Sequence, residues 1–394
     1  MKQHVHRPRR QGRQDEGQVL VIAAGAMIAI IALIALVLEG GNAYAEQRHA
    51  QNGADAAANA GATVLAQRFS DASLGDSQVA AAVTASAAAN GLVNPVGYYT
   101  NVSGKYLNAA GAVVADKASA AQVNGGTIPS GTQGVNVNGD RTFDSFFGRA
   151  IGFTGFTASA EATAIAGALS GGAFLPVVFP INIVDCEVNG SLGSQETDGG
   201  WTRSDPPTTP GGRPVGTEYI VPLCKTGSGS FQILDFDPSL KCDQEIEQGV
   251  QFTLTLPGYV PSDNGNDCAK KIVDAVNALH GKVVNVPICD NGDTADTPVG
   301  NCDTAHGSNA QYHIVKVASF WVDYMSESNN PNKPNTACQS LPGGPQLLPG
   351  TDIDGNGSSS CLAGYFVRYI TAGTVSTDAV PDAENDTIAI QLIK

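Results

Sequence analysis

Residues Val19 to Leu38 read VLVIAAGAMIAIIALIALVL, with no charge, amide or proline. No other stretch so narrows what this chain can become. As a helix rising about 1.5 Å per residue, such a run covers roughly 30 Å, the hydrocarbon thickness of a bilayer. It leaves a short tail (1–18) on one side and the bulk of the chain on the other. The tail holds Lys2, Arg7, Arg9, Arg10 and Arg13 against Asp15 and Glu16, a net +3 before any charge on its histidines. Excess Lys and Arg stays on the cytoplasmic side, so the amino terminus is expected inside and the remainder outside. A cleaved signal peptide would have a shorter apolar core followed by small residues. Here Glu39 and a helical pattern follow, so an uncleaved signal anchor spanning 19–38 is the expectation.

The whole chain carries −15, which leaves −18 on the part beyond the tail. That argues against nucleic acid as a partner, because phosphate binding needs a basic face. All eight cysteines (Cys186, Cys224, Cys242, Cys268, Cys289, Cys302, Cys338 and Cys361) lie in the outer half. An even number on the outward side of a membrane protein reads as four disulfides. Eight cysteines allow about 105 pairings, and the sequence does not choose among them.

Beyond the span, Gly40 and Gly41 are expected to loosen the helix at the membrane surface. Ala43, Ala50, Ala54, Ala57, Gly61 and Leu65 then recur on one helical stripe, with Glu46, Arg48, Gln51, Asp55 and Asn59 mainly on other faces. A stripe of small residues lets another backbone approach closely. It fits a stalk helix packed on its own domain, and equally a helix bundled with partner chains.

An apolar span, then an acid and a glycine, an aromatic, and polar residues ending in QNGADAAANAGA resembles the amino-terminal segment of TadE/TadG-like proteins of the tight-adherence (Flp-type) pilus-assembly system. The matching residues are Glu39, Gly40, Tyr44, Gln51, Asn52, Ala54, Asp55, Ala56, Ala57, Ala58 and Gly61. The usual acid after the span is aspartate, and here it is glutamate. Residues 135–166 resemble the end of that family's first domain. Val135 and Val137 alternate as in a strand, Phe143, Phe146, Phe147, Ala150 and Ile151 have the spacing of a short helix, and Thr157, Ser159, Glu161 and Thr163 alternate with alanines. The resemblance implies a pilin-like arrangement of one long helix and a small sheet. It also implies partners among pilus-assembly membrane proteins or pilins, besides the lipid bilayer, and a homo- or hetero-oligomer formed through span and stalk. Gly17 stands where a prepilin leader would be cut, but the fifth residue after it is Ile22 rather than glutamate, so processing is not expected.

A helix is expected over Ser77 to Asn90, stopped by Gly91, and a linker over Ala168 to Ala173. From Phe174 the pattern becomes an α+β domain. Strands are expected at 231–236, 250–256, 283–288, 312–324, 365–370 and 387–393, with a capped helix over Asp267 to His280. The order of these pieces resembles the outer region of TadG-like proteins. The expected fold is therefore α+β: a transmembrane helix extended into an alanine-rich stalk with a pilin-like sheet (39–167), followed by a disulfide-bonded β-rich outer domain (174–394).

No GxSxG elbow, HExxH or phosphate-cradling loop is present in the sequence. Cys302 and His306 have a spacing that zinc could use, although a disulfide suits the compartment better. Asp352, Asp354 and Asn356, followed by Gly357, match the start of a calcium loop. Position twelve would be Ala363, where a bidentate glutamate is needed, and Asp-Gly and Asn-Gly pairs are also ordinary turn chemistry. No cofactor is expected, calcium being the one candidate. The expected role is structural, with Glu39, Tyr44, Asn52, Asp55 and Gly61 as the interaction set. An anchored surface binding module or calcium-dependent adhesin unrelated to pili, and an anchored extracytoplasmic hydrolase with an acidic site, are the two rival readings.

Overall fold

The computed structural model describes residues 15–180, 201–209, 211–223, 233–262, 269–289, 311–326, 336–338, 346–347, 360–379 and 387–393. The chain opens with α1 (Asp15–Arg68), a single helix of 54 residues, about 80 Å long at the usual rise. It runs unbroken through Gly40 and Gly41, where loosening was expected. The two glycines cost on the order of 1 kcal/mol each, and propagation through the flanking helix-forming residues outweighs that. The two halves of α1 differ sharply. Val19 to Leu38 stands exposed, with Leu20 and Val37 each 73% accessible. Farther along, Ala50, Ala54, Ala57, Ala58, Ala62 and Leu65 form a fully covered stripe.

That stripe packs on α2 (Asp76–Ala89) and on a sheet begun by β1 (Val93–Thr100), β2 (Gly134–Asp144) and β3 (Gly155–Ala173). α2 begins at Gly75, whose N–H is accepted by the Gln78 side chain at 3.0 Å. It ends where Gly91 takes φ +70°, a turn that glycine enters without strain. Along the first part of β3, Ala158, Ala160, Ala162 and Ala164 face α1 while Thr157, Ser159 and Glu161 face away. From Ala164 onward both faces are covered. Ile165 and Leu169 enter a second core with Phe174, Tyr312, Ile314 and Val317.

The remaining strands are β4 (Phe179–Pro180), β5 (Tyr219–Leu223), β6 (Gln251–Thr253), β7 (Gly258–Pro261), β8 (Val283–Cys289), β9 (Gln311–Ser326), β10 (Gln346–Leu347), β11 (Ser360–Phe366), β12 (Ile370–Ala372), β13 (Thr374–Val375) and β14 (Ile388–Ile393). The first sheet has the order β1-β2-β3-β14-β12, with β13 and β6 also pairing with β3. The second has the order β10-β5-β11-β9-β8-β4, with β7 on β9. Helices α3 (Cys242–Gln248) and α4 (Ala269–Asn277) contribute Cys242, Ile272 and Val276 to its core beside Val286, Phe320 and Phe366. The fold is α+β, as expected.

Three local expectations are corrected. Residues 168–173 form strand, not linker, because their small side chains serve close approach rather than flexibility. A Cβ on Gly171 would sit 2.7 Å from Thr374, and one on Gly167 would sit 2.6 Å from Val375. Phe143 lies in β2, and the helix expected around it shrinks to one 3₁₀ turn, Gly148–Ile151. The last strands, β12 to β14, return to the first sheet, with Ile388 to Ile393 paired antiparallel to Ala168 to Thr163. The expected boundary near residue 174 thus separates stretches of sequence whose sheets share the core around Leu169, Val317 and Ala389.

Cys338 and Cys361 form a disulfide with Cα atoms 5.7 Å apart. Cys242 and Cys289 are each engaged in a disulfide as well. Cys186, Cys224, Cys268 and Cys302 lie outside the described residues, as do His306 and the candidate calcium ligands Asp352, Asp354 and Asn356.

Candidate membrane-proximal interaction site

α1 and the β2–β3 hairpin are laced together by side chains that step down the helix as the hairpin advances. Gln51 donates to the Glu161 carbonyl at 3.0 Å, and Gln47 to the Ser159 carbonyl at 2.9 Å. Arg141 pairs with Glu46 through its Nε and also donates to the Asn90 carbonyl. At the bottom, one carboxylate oxygen of Glu39 accepts the backbone N–H groups of Phe146 and Phe147, each at 3.1 Å. The nearby Ser145 hydroxyl, and then those two amides, hold the Glu39 carboxyl below the usual carboxylate range. The hairpin tip is therefore fastened to the helix one residue past the apolar run.

The five residues singled out from sequence fall in different environments. Tyr44 is exposed, with the Arg48 guanidinium 5.8 Å from its ring centre. Asn52 is exposed on the same side of α1. Asp55 is half-buried, accepts from Gln51 at 2.8 Å, and lines a groove of about 660 Å³ with Glu161, Leu392 and Ile393. Glu39 is engaged with the hairpin. Gly61 faces inward, where a Cβ would lie 2.9 Å from Val83 and 3.1 Å from Val135.

Residues 17–64 match the family model for Flp pilus-assembly TadE/G-like proteins. The chain carries a TadE/G-like segment. No curated protein and no solved structure matches it. The TadE/G-like segment coincides with α1 from just before the apolar run to the end of the small-residue stripe. It stops short of residues 135–166 and of the outer sheet, where a resemblance was also read. Among the described residues, α1 is the one helix long and apolar enough to cross a membrane.

The second sheet holds a charged cluster that sequence reading missed. Glu218, Asp323 and Arg213 meet there, with Arg213 bound to Asp323 and 3.7 Å from Glu218. His280 Nδ1 lies 3.3 Å from the Asp323 carboxylate, and the Tyr365 hydroxyl donates to Glu218 at 3.4 Å. The Arg213–Asp323 and Glu218–Tyr365 pairings each span more than a hundred residues in sequence, which is why no local pattern announces the cluster. Burial first, and then the adjacent Asp323, push Glu218 up to about 7 against the pull of Arg213. A carboxyl raised in this way holds a proton when folded that it has lost when unfolded. Its contribution is complete below the ordinary 4.5 and is lost as pH climbs through about 7. The melting temperature should accordingly fall between about pH 5 and about pH 8, by the equivalent of no more than about 3 kcal/mol. Glu218→Gln should flatten that slope, and an unchanged slope in the variant would rule this cluster out as its source.

Proposed function

We propose that the protein is a membrane-anchored structural component of a Flp-type pilus-assembly apparatus. The observation that carries the reading is the coincidence of the TadE/G-like match with a helix that is bare and apolar over its first half and sheathed by its own domain over its second. Such a helix suits a bilayer at one end and a folded body at the other. The basic tail favours an amino terminus on the cytoplasmic side, and disulfides persist on the opposite one. The role is one of packing and presentation, with no substrate turned over. The partner-facing surface of α1 runs through Tyr44, Arg48 and Asn52, because the alanine stripe is spent on the protein's own sheet. Asp55 contributes through the adjoining groove. Glu39 and Gly61 act indirectly, by fixing the hairpin and the sheet that shape this surface.

Counting surface fibres by electron microscopy on deletion and complemented cells tests this. Fibres should vanish on deletion and return with the wild-type gene. A Tyr44→Ala, Asn52→Ala double variant should reach the membrane at normal levels yet restore few fibres. Unchanged fibre numbers on deletion would refute the assembly role.

A further inference from the structure

The tip of the β2–β3 hairpin is unusually rich in uncovered phenylalanine. Phe146 is 68% exposed, Phe153 59%, Phe147 41% and Phe156 40%. Three of these side chains on the connecting segment and Phe156 at the start of β3 form a patch of the kind that marks a contact surface. The connections to α1 fix where this patch sits. The hairpin passes Gln51, then Gln47 and Glu46, and ends at Glu39. It therefore descends the helix toward the apolar run and stops beside Leu38. Its rings have water around them only if nothing lies at the outer end of the span.

We propose that the hairpin tip is a second membrane contact, with Phe146, Phe147 and Phe153 docking into the outer interface of the same bilayer that α1 crosses. This rests on the anchor reading given above. The patch is continuous with the lipid-facing surface of α1, whose last residues, Val37 and Leu38, are themselves exposed. The charges beside it suit the headgroup layer rather than the hydrocarbon. Asp144 and Arg149 pair with each other at 2.9 Å, and the Glu39 carboxylate accepts two backbone amides through one of its oxygens. A buried unpaired charge at that depth would be costly, whereas paired ones at the interface are tolerated. Two attachments, one helix and one turn fastened to it at Glu39, set the tilt of the folded body over the membrane as a single helix would not.

The full-length protein reconstituted in phosphatidylcholine vesicles provides the test. Trp201 and Trp321 are buried and give a constant background. Single Phe146→Trp and Phe153→Trp variants add a probe at the tip, and Leu33→Trp adds one inside the span. Lipid brominated near the headgroup should cut the added emission of the tip probes at least about twofold, and lipid brominated near the chain end should do so less, as expected for residues at the interface. If the Leu33 probe is quenched and the tip probes are not, the hairpin does not touch the bilayer and this inference fails while the anchor stands. If no probe is quenched, the anchor reading fails and takes this one with it. Tip emission that ignores bromine but changes when the vesicles are diluted with empty lipid would assign the patch to a second copy of the chain and overturn the membrane contact.

Discussion

Asp76→Ala should destabilise the helix-and-sheet half by about 4 kcal/mol. The carboxylate is 6% exposed and accepts three hydrogen bonds. They come from the Tyr99 hydroxyl, from the Asn124 N–H at 2.9 Å and from the Gly126 N–H at 2.7 Å. It also stands in the first turn of α2, where a negative charge complements the helix dipole. Alanine would strand all three donors, one of them on a fully buried ring. Burial, and then Asp76 itself, raise the Tyr99 phenol far above its ordinary value, so the hydroxyl remains a donor at any working pH. Tyr99→Phe should cost less, about 1–2 kcal/mol, because the carboxylate keeps its two amides. A thermal melt of the detergent-solubilised chain would show a drop on the order of 10 °C for Asp76→Ala. A melt within a couple of degrees of wild type would mean that these three bonds are not what joins α2 to β1 and to the β1–β2 connection.

Gly61→Leu should be nearly as damaging, by about 3 kcal/mol or more. A Cβ there already meets Val83 at 2.9 Å and Val135 at 3.1 Å, and leucine adds three further carbons into the same space. The neighbours belong to α2 and β2, so neither can yield without moving its element. The loss should register as lower melting temperature and greater protease sensitivity of the folded body. Gly61→Ala should show a smaller fraction of the same effect. If instead Gly61→Leu melts like wild type while co-purification of pilus-assembly partners is lost, the stripe faces another chain and not this sheet. That outcome would contradict the packing described here.

These two sites show what sequence periodicity conveys. The apolar run, the strands at 135–137, 283–288 and 312–324 and, within a residue at each end, the helix expected over 77–90 were legible, because burial on one side imposes a period that the side chains must obey. The alanine stripe was legible as a surface of close approach, yet its partner was not. A helix face looks the same in sequence whether it covers its own sheet or a neighbour's helix. ALSGGA misled for a related reason. Glycine and serine usually mark flexible links, but here Gly171 admits Thr374 to the flank of β3, and that residue is remote in sequence. Glu39 was noticed as the acid after the span, while its engagement with Phe146 and Phe147 came only with the hairpin folded back on α1. Glu218 and Asp323 had no local signature at all, since each draws its role from groups brought together by topology.

The return of β14 to the first sheet has a bearing on how the molecule is made. Its partner strand β3 precedes the whole second sheet in the chain, and β14 follows it. During synthesis, α1 and β1 to β3 are made early and wait with an open edge. The first sheet is completed only by a strand made after the whole second sheet. Pairings between such distant segments form slowly, and an uncovered edge is where foreign strands attach. Folding of this protein therefore has a vulnerable interval, opened when β3 has been made and closed only when β14 has been made too.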